Sequence, residues 1–311
     1  MFVSVIVPYT EAGDLILKTA DSIRQQQGVS TDSVALLVID ITPESDAAQR
    51  LSAYHNVRVI QRTDARNEAE AYNIALENLT SDYAVFARPG DVFDNRFFQE
   101  AHQALGGEAP CVFAAPRRFC INPVYARKAT VSRINFAKAY RNRVADIHER
   151  PTLLQIEIDG NVIRSDVLRQ YPADTGLKFE YFHDIMIRLQ DDYPTYFAMK
   201  DAIYSSFMPL SDDSEYFVPS NHIEWYKQSI DEFLLPLITR ETERYGGQLP
   251  PYIQYYLMYA IAARFLANMN NRNKHNMNEE ELQEFFAACK KVLAHVDDAI
   301  AAIIDELDKM Y

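Results

Sequence analysis

The chain has 311 residues, 48% of them hydrophobic, with 44 acidic against 31 basic side chains and a formal net charge of −13. That length holds one large domain or two modest ones around a well-filled core, and the negative balance argues against general nucleic-acid binding. No apolar run is long and charge-free enough to span a bilayer, since the nearest candidate, Tyr252–Met269, carries Gln254, Arg264 and Asn268.

Phe2–Val7 reads as a buried strand stopped by Pro8, with no secretory signal before it. Asp14 is the expected cap of a helix with Leu17, Ala20 and Ile23 on one face. Val34–Ile39 is a second strand closed by Asp40, and Thr42–Asp46 leads into a short helix through Leu51. Val57–Ile60 and Tyr83–Phe86 are short apolar runs without alternation, as strands covered on both faces are. Between them Ala69, Tyr72, Ile74, Ala75, Leu76 and Leu79 recur at helical spacing. Alternating strands and helices predict a mostly parallel sheet, whose ligands bind outside the carboxyl ends of the strands. Arg88-Pro89-Gly90-Asp91 lies at such an end.

From Asn95 a helix with Phe97, Phe98, Ala101 and Leu105 on its apolar side ends at Gly106-Gly107, and Cys111–Ala115 is a further strand. Between Arg117 and Arg150, Lys and Arg outweigh the acids Asp146 and Glu149, against the sign of the whole chain. This segment reads as a solvated loop surface, or as a basic rim facing a phosphate-bearing substrate or an anionic membrane. Leu153–Ile158 and Asn161–Ile163 flank Asp159-Gly160, a hairpin signal. A helix opens at Ser165 or Asp166, another spans Glu180–Leu189, and Thr195–Ala198 is a strand.

Beyond Pro219 only helical patterns remain, over Asn221–Arg240, Pro250–Met269 and from Asn278, where Glu281 gives capping-box spacing. The division is therefore an α/β domain over 1–218 and a helical bundle over 219–311. The aromatic helix with Tyr252, Tyr255, Tyr256 and Tyr259 reads as packed inside that bundle. The stripe Leu282, Phe285, Phe286, Cys289 and Val292 suits the same bundle or a homo-oligomer seam. Cys111, Cys120 and Cys289 are odd in number and at no metal-ligand spacing, which reads as reduced thiols in a cytoplasmic protein.

Val3-Ser4-Val5-Ile6-Val7-Pro8, Asp21-Ser22-Ile23 with Gln26, Leu36-Leu37-Val38-Ile39-Asp40, Ala71-Tyr72-Asn73 and Asp82–Phe86 follow one pattern in order. It resembles glycosyltransferase family 2, closely over the first third and loosely to about residue 210. Ile134-Asn135-Phe136, Val144–Ile147 and Pro151-x-x-x-Gln155 are similar to members that act in bacterial wall and capsule polymer synthesis. The resemblance implies a GT-A, Rossmann-like α/β domain and inverting transfer of a sugar from a nucleotide-diphosphate donor, a UDP-sugar foremost. The acceptor would be a surface glycan or wall polymer, reached at the inner face of the membrane, with Mn²⁺ or Mg²⁺ on the diphosphate. By position, Pro8, Thr10, Asp40, Asn73 and Arg88 would line the nucleotide-sugar site, Asp91 would hold the metal, and Asp184 or Glu180 would be the base.

The departures fall on that same set. Arg88 and Gly90 replace acids of the family's acidic turn, leaving Asp91. Ile39 replaces one of two aspartates after the second strand, Tyr72 an arginine, and no basic residue is evident at Ser205-Ser206-Phe207-Met208. These losses keep a second reading open, a degenerate module that binds without turnover. A cation at Arg88 could also replace part of a metal's charge.

Overall fold

In the computed structural model, residues 2–10, 13–106, 111–122, 127–130, 142–207, 222–268 and 277–300 are described. Every residue of β1 (Val3–Tyr9) is buried, which its unbroken apolar run requires. β1 pairs in parallel with β2 (Val34–Asp40) on one side and β4 (Tyr83–Phe86) on the other, and β3 (Val57–Gln61) continues beyond β2. α1 (Leu15–Arg24), α2 (Ala47–Arg50) and α3 (Glu68–Asn78) fill the connections. The chain lays strands outward from β1 and then returns to its other side, so a topological switch point lies between β1 and β4.

Past β4 the sheet stops being parallel. β5 (Val92–Phe93) and α4 (Phe97–Leu105) precede β6 (Phe113–Asn122), β7 (Arg127–Thr130), β8 (Arg143–Asp146), β9 (Val162–Arg164) and, after α5 (Ser165–Leu168) and α6 (Tyr181–Asp192), β10 (Thr195–Phe207). The order is β3-β2-β1-β4-β9-β6-β10-β5, with β7 on β6 and β8 on β10. β9 runs antiparallel to β4 and β6, β5 and β8 antiparallel to β10, and only β6 with β10 is parallel here. The result is a mixed α/β sheet, in place of the mostly parallel one expected. Periodicity had no means of giving the direction of β9, a strand of three residues.

The hairpin expected at Asp159-Gly160 does not form. Leu153–Ile158 is not a strand; Asp159 instead bridges Phe86 directly, and the Gly160 amide donates to the Phe86 carbonyl at 2.8 Å. Asp14 does not cap α1 either; its carboxylate pairs with Arg50. Gln155 and Gln190 exchange side-chain and backbone bonds of 2.8 and 2.6 Å, and the Gln155 amide donates to the Tyr196 hydroxyl. The glutamine of Pro151-x-x-x-Gln155 is thus a buried clamp.

The chain separates into two compact units: residues 1–146, 155–175 and 182–215 form one, and 147–154, 176–181 and 216–311 the other. In the second, α7 (Ile223–Ser229) passes through a π-type turn at Ile230–Leu234 into α8 (Leu235–Arg244). Pro236 lacks the amide hydrogen that a regular ladder needs there, which accounts for the widened turn. α9 (Pro251–Asn268) buries Tyr252, Ile253, Tyr255, Tyr256 and Leu257, as the packed-helix reading expects. α10 (Glu279–Leu293) starts on the expected capping box, with the Glu281 amide on the Asn278 side chain at 3.0 Å and the Asn278 amide on Glu281 at 2.8 Å.

The polar anchor of this unit is Arg264, 1% exposed. Its guanidinium donates to Glu180 Oε1 at 2.8 Å, Ser229 Oγ at 2.6 Å and the carbonyls of Ala260 and Trp225, and lies 4.5 Å from the Trp225 ring. The Trp225 indole N–H donates to the same Glu180 oxygen at 2.8 Å. Removing one partner of a buried pair leaves the other charge uncompensated. Arg264→Met should therefore cost about 3–5 kcal/mol, and the double change with Glu180→Gln should recover a good part of it; thermal melts of the three proteins check this.

Arg133, Lys138, Arg141, Ile134-Asn135-Phe136, Met208, the 218/219 division and most of Asn270–Asn278 lie outside the described residues. Among the described residues no helix is long and apolar enough to cross a membrane.

Candidate functional site

At the switch point β4 ends, the Ala87 amide still donating to the Ile6 carbonyl of β1, and the chain turns through Arg88–Asp91. Thr19 of α1 holds that turn from below, donating to the Arg88 carbonyl at 3.3 Å and accepting from the Gly90 amide at 3.0 Å. Gly90 has φ +97°, and a Cβ there would stand 3.0 Å from the Phe207 ring. Ser22 accepts from the Phe93 amide, while Gln26 donates to the Asp94 carbonyl and accepts from the Phe98 amide. The Ser22 and Gln26 of the opening motif therefore fix the exit of the turn.

Asp91 is 2% exposed. Oδ1 accepts from the Phe207 amide at 2.8 Å, and Oδ2 accepts from the Arg88 amide at 2.7 Å and from the Tyr204 hydroxyl. Burial pushes its carboxyl above the usual range, against the pull of these donors. Both oxygens are thus taken by protein donors, an arrangement that does not fit a first ligand to a divalent cation. Among the described residues no three His, Cys, Asp or Glu side chains are grouped to hold a metal ion.

The Arg88 side chain, 41% exposed, points a different way from its backbone. One terminal nitrogen is 3.4 Å from Glu68 Oε2 in the first turn of α3, the other 3.7 Å from Asp159 Oδ2. Asp159 is 7% exposed and its Oδ1 has no hydrogen-bond partner. Burial, helped by Asp91 and Glu157 and opposed by Arg88 and Arg118, pushes its carboxyl up to about 7. Arg118, 5% exposed, donates to the Glu157 carbonyl at 3.0 Å and Asn161 Oδ1 at 2.9 Å, and stands 5.7 Å from the Tyr204 ring. That ring fills the space a Cβ on Gly160 (φ +71°) would need, 2.6 Å away.

The other expected residues are placed as follows. Pro8 is buried in β1 opposite Ile39, and Thr10 is exposed just past the strand. Asp40, fully buried at the end of β2, accepts from the Thr42 amide at 3.0 Å, the Thr42 hydroxyl at 2.7 Å and Ser45. Asn73 exchanges bonds of 3.0 and 2.8 Å with the Ala173 backbone, and Tyr72 packs edge-on against Phe86 and Phe182. Asp184, on the first turn of α6, accepts from Arg188 Nε at 2.7 Å. Glu180 takes its place in the helical unit as the acceptor of Arg264 and Trp225.

Thus Arg88 and Asp91 come together at the end of β4, Pro8, Thr10 and Asp40 share the same sheet edge, and Asn73 and Asp184 are held by other partners. Asp159, Glu68, Arg118 and Tyr204 complete the cluster and were not singled out from sequence. Asp159-Gly160 carried a signal, but one equally suited to a turn.

A model of the Glycosyl transferase family 2 domain matches residues 4–171. The chain belongs to this family. The crystal structure of S. aureus TarS 1–349 in complex with UDP-GlcNAc is similar to this glycosyltransferase at 14% identity and TM-score 0.66, over 97% of this chain and 83% of that one. Whole TarS gives TM-score 0.64 at 14% identity over 97% of this chain and 50% of its own length. The mannosyltransferase PcManGT from Pyrobaculum calidifontis, in complex with GDP-Man and Mn²⁺, gives 0.53 at 18% identity over 99% and 79%. None of the curated protein sequences matches the chain.

The buried Asp159 gives a pH signature. Its carboxyl titrates near 4 when unfolded and at about 7 when folded, so between these values the native state holds a proton that the unfolded state has lost. Stability then falls as pH rises from about 4 to about 7. Asp159→Asn, which cannot ionise, should be more stable than the parent by about 4 kcal/mol at pH 8 and close to it at pH 4; urea unfolding at both pH values checks this.

Proposed function

We propose that this family 2 glycosyltransferase transfers a sugar, with inversion, from a nucleotide-diphosphate donor to a wall or capsule glycan. The supporting observation is the polar cluster of Arg88, Asp91 and Asp159 at the switch point, where open α/β sheets take their ligands. The domain is read as GT-A over 1–218, with the helical bundle over 219–311. Pro8, Thr10 and Asp40 lie at the sheet edge that would receive the nucleoside, and a UDP-sugar is the donor to try first. TarS, with its bound UDP-GlcNAc, supports that choice. A divalent cation belongs to the family reading, but both Asp91 oxygens are already engaged by protein donors.

Direct displacement needs a carboxylate to take the proton of the acceptor hydroxyl while the diphosphate leaves. Of the two candidates, Asp184 is the better, because Glu180 neutralises a buried arginine whose loss of partner would be costly. Asp184 is paired with Arg188 Nε at 2.7 Å, which orients its carboxylate. Work at the inner face of the membrane and association through Leu282 and Phe286, 36% and 42% exposed on α10, complete the reading.

The test is turnover of a panel of nucleotide sugars with wall-polymer acceptors. Asp184→Asn should lower kcat by about a hundredfold or more with little change in KM for the donor; a matching loss of thermal stability would make Asp184 a structural residue instead. Donor binding by the parent without turnover of any acceptor would favour the binding-module reading.

A further inference from the structure

The turn at the end of β4 keeps one acid, and that acid is committed to the fold. What it presents outward is a cation. The Arg88 guanidinium is 3.4 Å from Glu68 and 3.7 Å from Asp159, longer than the ~2.7–2.9 Å of a charge-assisted bond. With 41% of its side chain exposed, Arg88 can be reached by a further acceptor. A diphosphate is one: its anionic oxygens match the planar fork of arginine in pairs, a geometry that a lysine at this position would not offer.

We propose that Arg88 takes the place of a divalent cation against the diphosphate of the donor, and that Asp159 is the positioning residue that holds the guanidinium at the site before the donor binds. This deepens the donor-site reading above and rests on it.

Charge balance adds a second element. Arg88 and Arg118 already stand among Asp91, Asp159, Glu68 and Glu157. A diphosphate brings at least two further negative charges into this cluster. The compensating charge has an obvious seat: Asp159 Oδ1 is buried and has no hydrogen-bond partner. The groups facing Asp159 are Arg88 and Asp91 from the turn, Glu157 from its own segment, Arg118 from β6 and the Tyr204 hydroxyl from β10. Moving Arg88 onto a phosphate removes an attraction that favours the ionised form, and the incoming anion disfavours that form further. Binding therefore draws a proton onto Asp159, and the neutral carboxyl becomes a hydrogen-bond donor.

The experiment is calorimetric titration of UDP into the whole chain, once with Mn²⁺ and once with EDTA, near pH 7 and in two buffers of different ionisation enthalpy. The parent should bind in EDTA within about threefold of its affinity in Mn²⁺. Arg88→Gln should bind about tenfold or more weakly in both conditions, with Arg88→Lys in between. The parent should take up about half a proton per UDP, and Asp159→Asn should take up none.

Parent binding that weakens tenfold or more in EDTA overturns the proposal, as does Arg88→Gln binding as tightly as the parent. Metal-free, Arg88-dependent binding without proton uptake overturns the part assigned to Asp159 alone. No binding of UDP, GDP, ADP or CDP by the parent in either condition removes the donor-site reading itself, a result distinct from the others. Circular dichroism of each variant establishes that it folds, and Arg88→Lys serves if the glutamine variant does not.

Discussion

The arrangement at the switch point depends on the buried carboxylate of Asp91. It accepts from the Arg88 amide beside it in the turn and from the Tyr204 hydroxyl and Phe207 amide of β10. An ionised group out of water is tolerated only when its lone pairs are met. Here that requirement ties the end of β4 to a strand more than a hundred residues later in the chain. Thr19, Ser22 and Gln26 close the same turn from the side of α1. Because the backbone is fixed on both sides, the Arg88 side chain leaves it in a defined direction, and Asp159 and Glu68 meet it there.

The helical unit solves a similar problem with the signs exchanged. Its buried ion is a guanidinium, and the acceptors are carbonyls, Ser229 and Glu180. Glu180 is held with φ 56°, an uncommon backbone for a residue with a side chain. Such a conformation persists when the surroundings over-determine it, and two donors on one carboxylate oxygen do so. This is why a residue that resembles a catalytic acid in sequence is better understood as a structural counter-ion.

What was legible in the sequence was what neighbours in the chain decide. The first four strands follow from short apolar runs, and the Asn278–Glu281 box, four residues long, forms as written. The family pattern located Asp91 and the turn. Direction and partnership across long separations were not legible. Asp14 prefers Arg50 to its own helix, and the glutamine motif at 155 is spent on Gln190 and Tyr196. By sequence Asp159 reads as a turn residue, because Asp-Gly serves turns for local reasons. Its role depends on Arg88, which no spacing rule connects to it.

The same geometry bears on how this sequence can change. Arg88 is a counter-charge to both Asp159 and Glu68. A single change of the turn toward the family's acidic form, Arg88→Asp, would set a third carboxylate against two others in a cluster that already buries Asp91. Like charges so close cannot all ionise, so the altered protein would be poorer at holding any anion before it had gained a metal. An acidic turn is therefore not one substitution away, since at least one neighbouring acid would have to change with Arg88.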